Sequence, residues 1–280
     1  MGTSRQTKQR TQGDERPGVW VAYGRLVKLF RERAGLTQET FAEVVGYSVE
    51  QVGSIEQGRR PAKPVFTKAA ETRLSAHGTL EALQKDVDLA RLPTFFQNFA
   101  SIESDAVSFF WYGGYVVPGL LQTEEYARAL LTAHFPPLDT GTIDEWLAAR
   151  MDRQNILNRE KPPFVASFLI EEAVLHRPVG GPEAMKRQLH QLLKRAETRN
   201  VQIQIMPTAF GSHSGLNGSM VLVETPEHRN VAYIESQDIG VVISEPDDVS
   251  KFWLRYGMLR SQALNMEESA RLIERTIGEL

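Results

Sequence analysis

Ten residues between positions 37 and 63 have side chains suited to contacts with a nucleic acid. They are Thr37, Gln38, Ser48, Val49, Glu50, Gln51, Ser54, Arg59, Arg60 and Lys63. A Gln amide can pair with adenine through two hydrogen bonds, a Glu carboxylate can accept from the cytosine amine, and Val can contact the thymine methyl group. Arg and Lys bind phosphates whatever the base sequence. The set therefore predicts contacts with both the bases and the backbone of double-stranded DNA.

The spacing of apolar residues predicts the helices that must position these side chains. A first helix spans 23–34, and a second spans 38–45 with Thr37 as its N-cap. Gly46 can supply the positive φ of a tight turn before a third helix, which Ser48 can cap. Two short helices around a brief turn predict helix-turn-helix geometry, with the third helix in the major groove. The free N–H groups at the start of the second helix suit a phosphate.

A set of spaced residues between 23 and 65 points to a family. They are Phe30-Arg31-Glu32, Gly35 to Glu39, Phe41-Ala42, Gly46-Tyr47-Ser48, Val52, Ile55-Glu56 and Gly58. With these residues the segment resembles the Cro/repressor (Xre-type) helix-turn-helix family. The resemblance implies a sequence-specific transcription regulator that binds a DNA operator. Because operators usually have two half-sites, we expect a homodimer. The alternative is a helical bundle that only binds protein.

The third helix departs from the usual pattern of that family. It has no Lys or Arg between 48 and 58, and Gly53 lies inside it. Gly costs a helix about 1 kcal/mol relative to Ala. We therefore expect modest intrinsic affinity for phosphates, with more dependence on Arg59, Arg60, the N-terminal arm and dimerisation.

Charge is distributed unevenly along the 280 residues, whose net charge is −3. Residues 1–70 carry a net +5 and the remainder a net −8, so the two parts should meet different partners. Residues 1–20 are polar, and they have no apolar core that would suit a signal peptide. We expect them to form a disordered basic arm, whose cations are Arg5, Lys8, Arg10 and Arg16.

Periodicity and turn signals divide the chain into four segments. After the arm, a helix-turn-helix domain of four to five helices is predicted at 21–90, with a break at 77–79 before a helix capped by Thr79. Residues 91–104 are expected to be a connector. Short strands and helices then alternate over 105–280 without a regular βαβ repeat. This pattern predicts an α+β domain with a mixed, mainly short-stranded sheet.

A second set of motifs lies in that C-terminal part. They are Val117 to Thr123 with Tyr126 to Arg128, Arg153-Gln154, Ile156-Leu157, Glu172 with Leu175, Pro178 to Gly181, Gln188-Leu189, and Pro207 with Gly211. Together they resemble the C-terminal domain of unknown function in actinobacterial WhiJ-like regulators. The resemblance implies a regulator of differentiation or secondary metabolism, often encoded beside a small acidic partner protein. It assigns no ligand.

Some C-terminal residues have two possible roles. The run at 117–123 is most simply a turn leading into a helix capped by Thr123, and the alternative is a pocket wall. The neighbouring aromatic residues are expected in the core; they are Phe109, Phe110, Trp111, Tyr112 and Tyr115.

Catalytic signals are weak. The six histidines include no His-x-x-x-His pair, and there is no Gly-x-Ser-x-Gly or phosphate-loop motif. The segment 211–215 is expected to be a flexible loop, and the adjacent Glu171 and Glu172 should point to different sides. We therefore expect no enzyme activity, no catalytic residues, no cofactor and no metal.

Three functions follow from these observations. The first is a DNA-binding regulator whose C-terminal domain senses a ligand or binds a small partner protein. The second is an enzyme or toxin-like effector whose gene is regulated by its own N-terminal unit. Converging carboxylates or His side chains in a closed cavity would favour this function. The third is an antitoxin-like scaffold, which a large exposed apolar patch would favour.

With no cysteine and no apolar run of about 20 residues, we expect a cytoplasmic, nucleoid-associated protein without membrane contact.

Overall fold

The computed structural model describes residues 16–280. These residues form two compact units, which divide between Arg91 and Leu92. Most of the predicted basic arm, including Arg5, Lys8 and Arg10, lies outside the described residues. No helix in residues 16–280 is long and apolar enough to cross a membrane.

The first unit is helical throughout its described part. Its helices are α1 Gly18–Arg33, α2 Gln38–Val45, α3 Val49–Glu56, α4 Pro64–Leu74, α5 Thr79–Ala82 and α6 Gln84–Leu89. The first helix begins at Gly18 rather than at the predicted residue 23, because Trp20 packs on the core and its Nε1 donates to the Val87 carbonyl at 3.0 Å. The fifth predicted helix is divided in two at Leu83.

The helix-turn-helix elements follow the sequence prediction closely. Thr37 and Ser48 cap α2 and α3, and Gly46 between them has a φ of 74°. The apolar faces of these helices meet in one core, which includes Tyr23, Val27, Phe41, Val52, Ile55 and Phe66. At Gly24 the backbones of α1 and α3 are so close that a Cβ atom would lie 2.2 Å from the Ile55 carbonyl oxygen.

The predicted cap at Thr79 is wrong. Gly78 is the N-cap of α5 and offers no side chain. The carboxylate of Glu71 on α4 accepts from the backbone N–H groups of Gly78, Leu80 and Glu81 at 2.7, 2.9 and 3.1 Å. A side chain from the preceding helix therefore satisfies the free amides that a local cap would otherwise bind.

The second unit is an α+β domain with a six-stranded mixed sheet, as predicted. Its strands are β1 Ser108–Gly113, β2 Val165–Glu171, β3 Val201–Met206, β4 Met220–Glu224, β5 Asn230–Ser236 and β6 Ile239–Ile243. Their order is β3-β2-β1-β4-β5-β6. The first three strands run parallel and the other pairings are antiparallel. The parallel half contains two successive βαβ crossovers, although the sequence showed no regular βαβ repeat. Parallel strands cannot be joined by a tight turn, so helices connect β1 to β2 and β2 to β3.

Seven helices in the described part of the second unit surround this sheet. They are α7 Thr94–Asp105, α8 Glu124–Thr132, α9 Thr140–Arg153, α10 Glu172–Leu175, α11 Pro182–Ala196, α12 Pro246–Gln262 and α13 Met266–Glu279. One apolar cluster contains Phe99, Tyr126, Leu189 and Ile273, and a separate one contains Tyr256 and Leu259 of α12. The sheet is therefore covered by helices on both faces.

The predicted connector at 91–104 is mostly helix α7. Phe96 and Phe99, three residues apart, lie on one helical face. The Phe99 ring is buried and stacks on Tyr233 of β5, with the ring centroids 4.2 Å apart. Aromatic burial against the sheet is the reason that this segment folds as part of the second unit.

Candidate functional site

The N-terminal end of α3 presents an ordered polar surface. Val49, Glu50 and Gln51 are exposed there, and Ser54 one turn later is half-buried. The Ser48 Oγ accepts from the Gln51 backbone N–H at 3.1 Å, and the Gln51 Oε1 accepts from the Ser48 N–H at 3.0 Å. This capping box fixes the start of α3, and it uses the oxygen of the Gln51 amide.

The start of α2 differs from the expectation for Gln38. Thr37 caps the helix through its Oγ1, which accepts from the Thr40 N–H at 3.2 Å. The Gln38 Nε2, expected to face a phosphate, donates to Glu56 Oε2 at 2.7 Å. Glu56 is also paired with Arg31, whose Nε donates to Oε1 at 2.5 Å. Gln38 therefore joins α2 to the end of α3 instead of standing free.

Basic side chains follow the end of α3. Arg59, Arg60 and Lys63 are exposed, and in the described part of the chain none of them has an acidic partner within 4.0 Å. Gly58 turns the chain there with a φ of 65°. The three cations are free to meet a negatively charged ligand beside α3.

A pocket of about 450 Å³ lies in the second unit. Trp111 of β1, Val221 of β4 and Tyr233 of β5 are direct neighbours across the strands, so they share one face and form its floor. Helix α7 contributes Phe96 and Phe99 to the wall. The volume lies in the range of small-molecule sites, and the lining is mainly apolar.

The run at 117–123 forms another part of this wall. Val117, Pro118 and Gly119 line the pocket, and Thr123 caps α8 as predicted. Three buried glutamine side chains hold the backbone of the run. The Gln122 amide donates to the Val117 carbonyl, the Gln154 amide to the carbonyls of Gly119 and Gln122, and the Gln188 amide to the Leu121 carbonyl. The Gln188 side-chain oxygen also accepts from the Thr123 N–H. The run is therefore both the turn and the pocket wall that its sequence left as alternatives.

Two arginines of α9 line the pocket in different ways. Arg153 forms a bidentate pair with Glu103, at 2.8 and 2.9 Å, and its guanidinium lies over the Phe96 ring. Arg150, one turn earlier, donates from Nη1 to the Gln122 Oε1 at 3.0 Å. Burial, followed by the charge of Arg153, lowers the pKa of Arg150 to about 10.

The rim of the pocket is polar. The Tyr233 hydroxyl donates to Glu235 Oε2 at 2.8 Å, and burial raises the pKa of Tyr233. His134 Nε2 lies 3.5 Å from Asp238 Oδ2, and its ring meets the edge of Trp146. Glu235 and Asp238 are exposed, so these carboxylates are solvated at the rim.

Comparison with known proteins assigns both units. Residues 96–275 match the domain of unknown function DUF5753. The chain belongs to the DUF5753 family. Residues 22–83 match a helix-turn-helix domain. The chain is also similar to the uncharacterized HTH-type transcriptional regulator YazB of Bacillus subtilis (strain 168), with 42% identity over 50 residues, covering 18% of this chain and 72% of YazB. No solved structure matches it significantly. The resemblance to WhiJ-like regulators stays a prediction.

The segment 211–215 of the DUF5753 domain is more ordered than expected. It begins after the 3₁₀ turn Thr208–Phe210 and runs into a second one, Ser214–Asn217, and the His213 side chain is buried. His213 Nε2 lies 3.4 Å from Glu171 Oε1, which accepts from the Tyr112 hydroxyl at 2.6 Å. The expected flexible loop is thus anchored by a buried polar cluster.

The aromatic cluster of the DUF5753 domain is divided by its environment. Phe109 and Tyr112 are buried as predicted, but the Tyr115 side chain is 66% exposed. Phe109, Trp111 and Tyr115 line the pocket. In the described residues there is no group of three or more potential metal ligands.

The most informative pocket residues were absent from the sequence-based set of site residues. Arg150 and Arg153 are three residues apart on α9, and this spacing places both on one helical face. That spacing indicates a shared face, but it does not identify their partners. Arg153 pairs with Glu103 of α7, and Arg150 donates to Gln122 of the run at 117–123. These segments are distant in sequence, so the roles of the two arginines could not be assigned from the pattern.

Proposed function

We propose that this chain is a sequence-specific transcription regulator that binds a double-stranded DNA operator. The observation that carries the proposal is the capped, exposed N-terminal end of α3 in a helix-turn-helix domain. Helices in this arrangement enter the major groove with their N-terminal residues toward the base edges. The similarity to a protein named as an HTH-type transcriptional regulator supports the same function.

In this proposal the exposed face of α3 reads the bases. Its residues are Val49, Glu50, Gln51 and Ser54, with Thr37, Gln38 and Ser48 at the helix starts near the phosphates. Gln38 would have to leave Glu56 or use its second N–H to reach a phosphate. Arg59, Arg60 and Lys63 anchor the backbone. Such a protein works on the nucleoid, which implies a cytoplasmic location.

For the DUF5753 domain we propose ligand sensing rather than binding of a small acidic partner protein. The supporting observation is the pocket of about 450 Å³ with an apolar floor and a few polar groups. The enzyme alternative has less support, because Glu103 is neutralised by Arg153 and the carboxylates of Glu235 and Asp238 are exposed at the rim. We therefore propose a regulator without catalytic residues.

The C-terminal helices offer few apolar residues for the proposed homodimer. Leu259, Leu272 and Ile273 are buried inside their own unit. Leu254 and Met258, one turn apart on α12, are 74% and 57% exposed. We propose that these two side chains contact the second copy.

Selection from a random duplex library by the full-length protein tests the proposed function. We expect enrichment of one base motif, with half-sites arranged as an inverted repeat if the protein is a dimer. A Glu50→Ala/Gln51→Ala variant should enrich a changed or shorter motif, and Lys194→Ala in the second unit serves as the matched control. Recovery of no motif by the wild-type protein would contradict sequence-specific binding.

A further inference from the structure

Arg150 lies in the pocket wall without a carboxylate partner. In the described part of the chain its one hydrogen bond goes to the neutral side chain of Gln122, at 3.0 Å. Arg153, one turn later on the same helix, has both carboxylate oxygens of Glu103. A guanidinium has five N–H donors, so most of the donors of Arg150 are unused.

Arg150 is half-buried in the wall, and a charge that loses part of its water needs protein groups to replace it. The charged groups around Arg150 do not provide that replacement. Arg153 repels it, and Glu235 attracts it only from beyond ion-pair distance. The Tyr233 hydroxyl, moreover, already donates to Glu235. Within residues 16–280, no carboxylate is therefore at ion-pair distance from Arg150.

The rest of the pocket suits a flat, apolar ligand. Trp111, Tyr115, Trp146 and Phe96 contribute aromatic rings to its lining. The cavity of about 450 Å³ can hold one or two fused rings. There is no Lys among the residues that line it, so nothing suggests a site for several phosphates.

We propose that the pocket binds a small aromatic carboxylic acid, whose carboxylate pairs with Arg150 and whose rings lie among the aromatic side chains. Arginine matches a carboxylate through two parallel hydrogen bonds. Gln122 holds the guanidinium ready for this contact and at the same time fixes the run at 117–123. The inference rests on the proposed sensing function for its biological role, but the binding itself needs no DNA.

Calorimetric titration of the full-length protein with three matched probes tests the proposal. The probes are 2-naphthoate, its neutral analogue 2-naphthamide and the cation 2-naphthylmethylammonium. We expect saturable binding of one 2-naphthoate per chain, with the other two probes weaker by about ten- to hundredfold, since a charged hydrogen-bonded pair contributes that much. Equal or tighter binding of the amide or the amine, or no binding of the carboxylate, would overturn the proposal.

Variants of the wall separate the role of Arg150 from general packing. Arg150→Gln should weaken 2-naphthoate binding about ten- to hundredfold but leave the affinity for 2-naphthamide nearly unchanged. Arg150→Lys, which keeps the charge, should restore part of the loss. Arg187→Gln, which removes an exposed arginine of α11, is the control and should bind like the wild type. If Arg150→Gln binds the carboxylate as tightly as the wild type, the assignment of Arg150 is wrong. These titrations contain no DNA. A failure of 2-naphthoate to bind would therefore leave the test of operator binding unaffected.

Discussion

The Ser48 hydroxyl and the Gln51 side-chain oxygen each accept a hydrogen bond from the other residue's backbone N–H, at 3.1 and 3.0 Å. Gln51 thus holds the helix start with its oxygen and has its Nε2 left for an outside acceptor. Under the proposed function, base reading and helix capping are therefore coupled at one side chain. A cap is worth about 1 kcal/mol, which is comparable to one base contact.

Replacing Gln51 by Ala should reduce operator affinity by about 1–3 kcal/mol and relax the preference at one base pair. Ser48→Ala is the matched control. It removes the other half of the capping box and should weaken binding without changing the base preference. The measurement is affinity for the operator and its single-base variants. Full affinity and unchanged selectivity in Gln51→Ala would show that Gln51 reads no base.

Removing Arg59 and Arg60 together should weaken binding to all DNA sequences alike. Each neutralised phosphate releases about 0.9 counterion, so the slope of log affinity against log salt should become shallower by about 1–2 per protomer. Lys161→Ala/Lys194→Ala removes the same charge from exposed sites of the second unit. That control should keep the wild-type slope. If the Arg59/Arg60 variant keeps it too, the loop after α3 does not touch the DNA backbone.

Two glycines of the first unit should respond oppositely to Ala. A Cβ at Gly53 would lie 3.8 Å from the Gln38 side chain, an ordinary contact, so Gly53→Ala should stabilise α3 by about 0.5–1 kcal/mol. At Gly24 the same atom would lie 2.2 Å from the Ile55 carbonyl oxygen, so Gly24→Ala should destabilise the unit by about 1–3 kcal/mol. Hydrogen exchange of the α1 and α3 amides in the full-length protein measures both. Slower exchange in Gly24→Ala would be incompatible with the described packing.

The buried pair of Arg31 and Glu56 should be the most sensitive polar site of the first unit. Glu56→Ala leaves the Arg31 charge and the Gln38 amide without their partner, and it should cost about 3–5 kcal/mol. Glu32→Ala removes an exposed carboxylate with two long contacts, 3.9 Å to Lys28 and 3.8 Å to Arg31, and should cost less than about 1 kcal/mol. Thermal unfolding followed by circular dichroism compares the two. Similar losses in both variants would refute a special role for the buried pair.

Sedimentation tests the proposed second copy. We expect a dimer at micromolar concentration and a shift to monomer in Leu254→Glu/Met258→Glu, because two charges would replace exposed apolar contacts. Glu279→Ala on α13 is a surface control. A monomeric wild-type protein would remove the basis for a dimer and favour operator binding by single protomers.

Sequence alone determined the features that depend on neighbours within about four residues. Thr37 and Ser48 cap their helices, and Gly46 and Gly58 have the positive φ that closes the turns. These interactions have fixed spacings, so the helix-turn-helix unit could be predicted almost residue by residue. Alternating and apolar runs likewise predict strands at 201–206, 220–224 and 239–243, which are the observed bounds of β3, β4 and β6.

The tertiary structure alone decided which residues from distant parts of the sequence come together. Glu103 and Arg153 meet from α7 and α9, and Trp111 and Tyr233 come to lie on either side of Val221 only because β4 pairs with both of their strands. The Glu71 cap and the Glu171–His213 contact have the same origin. Local spacing fixes a side chain's direction on its own helix or strand, but not which distant group it meets. The order of strands and the packing of helices decided that Arg153 pairs with a carboxylate and that, among residues 16–280, Arg150 pairs with none.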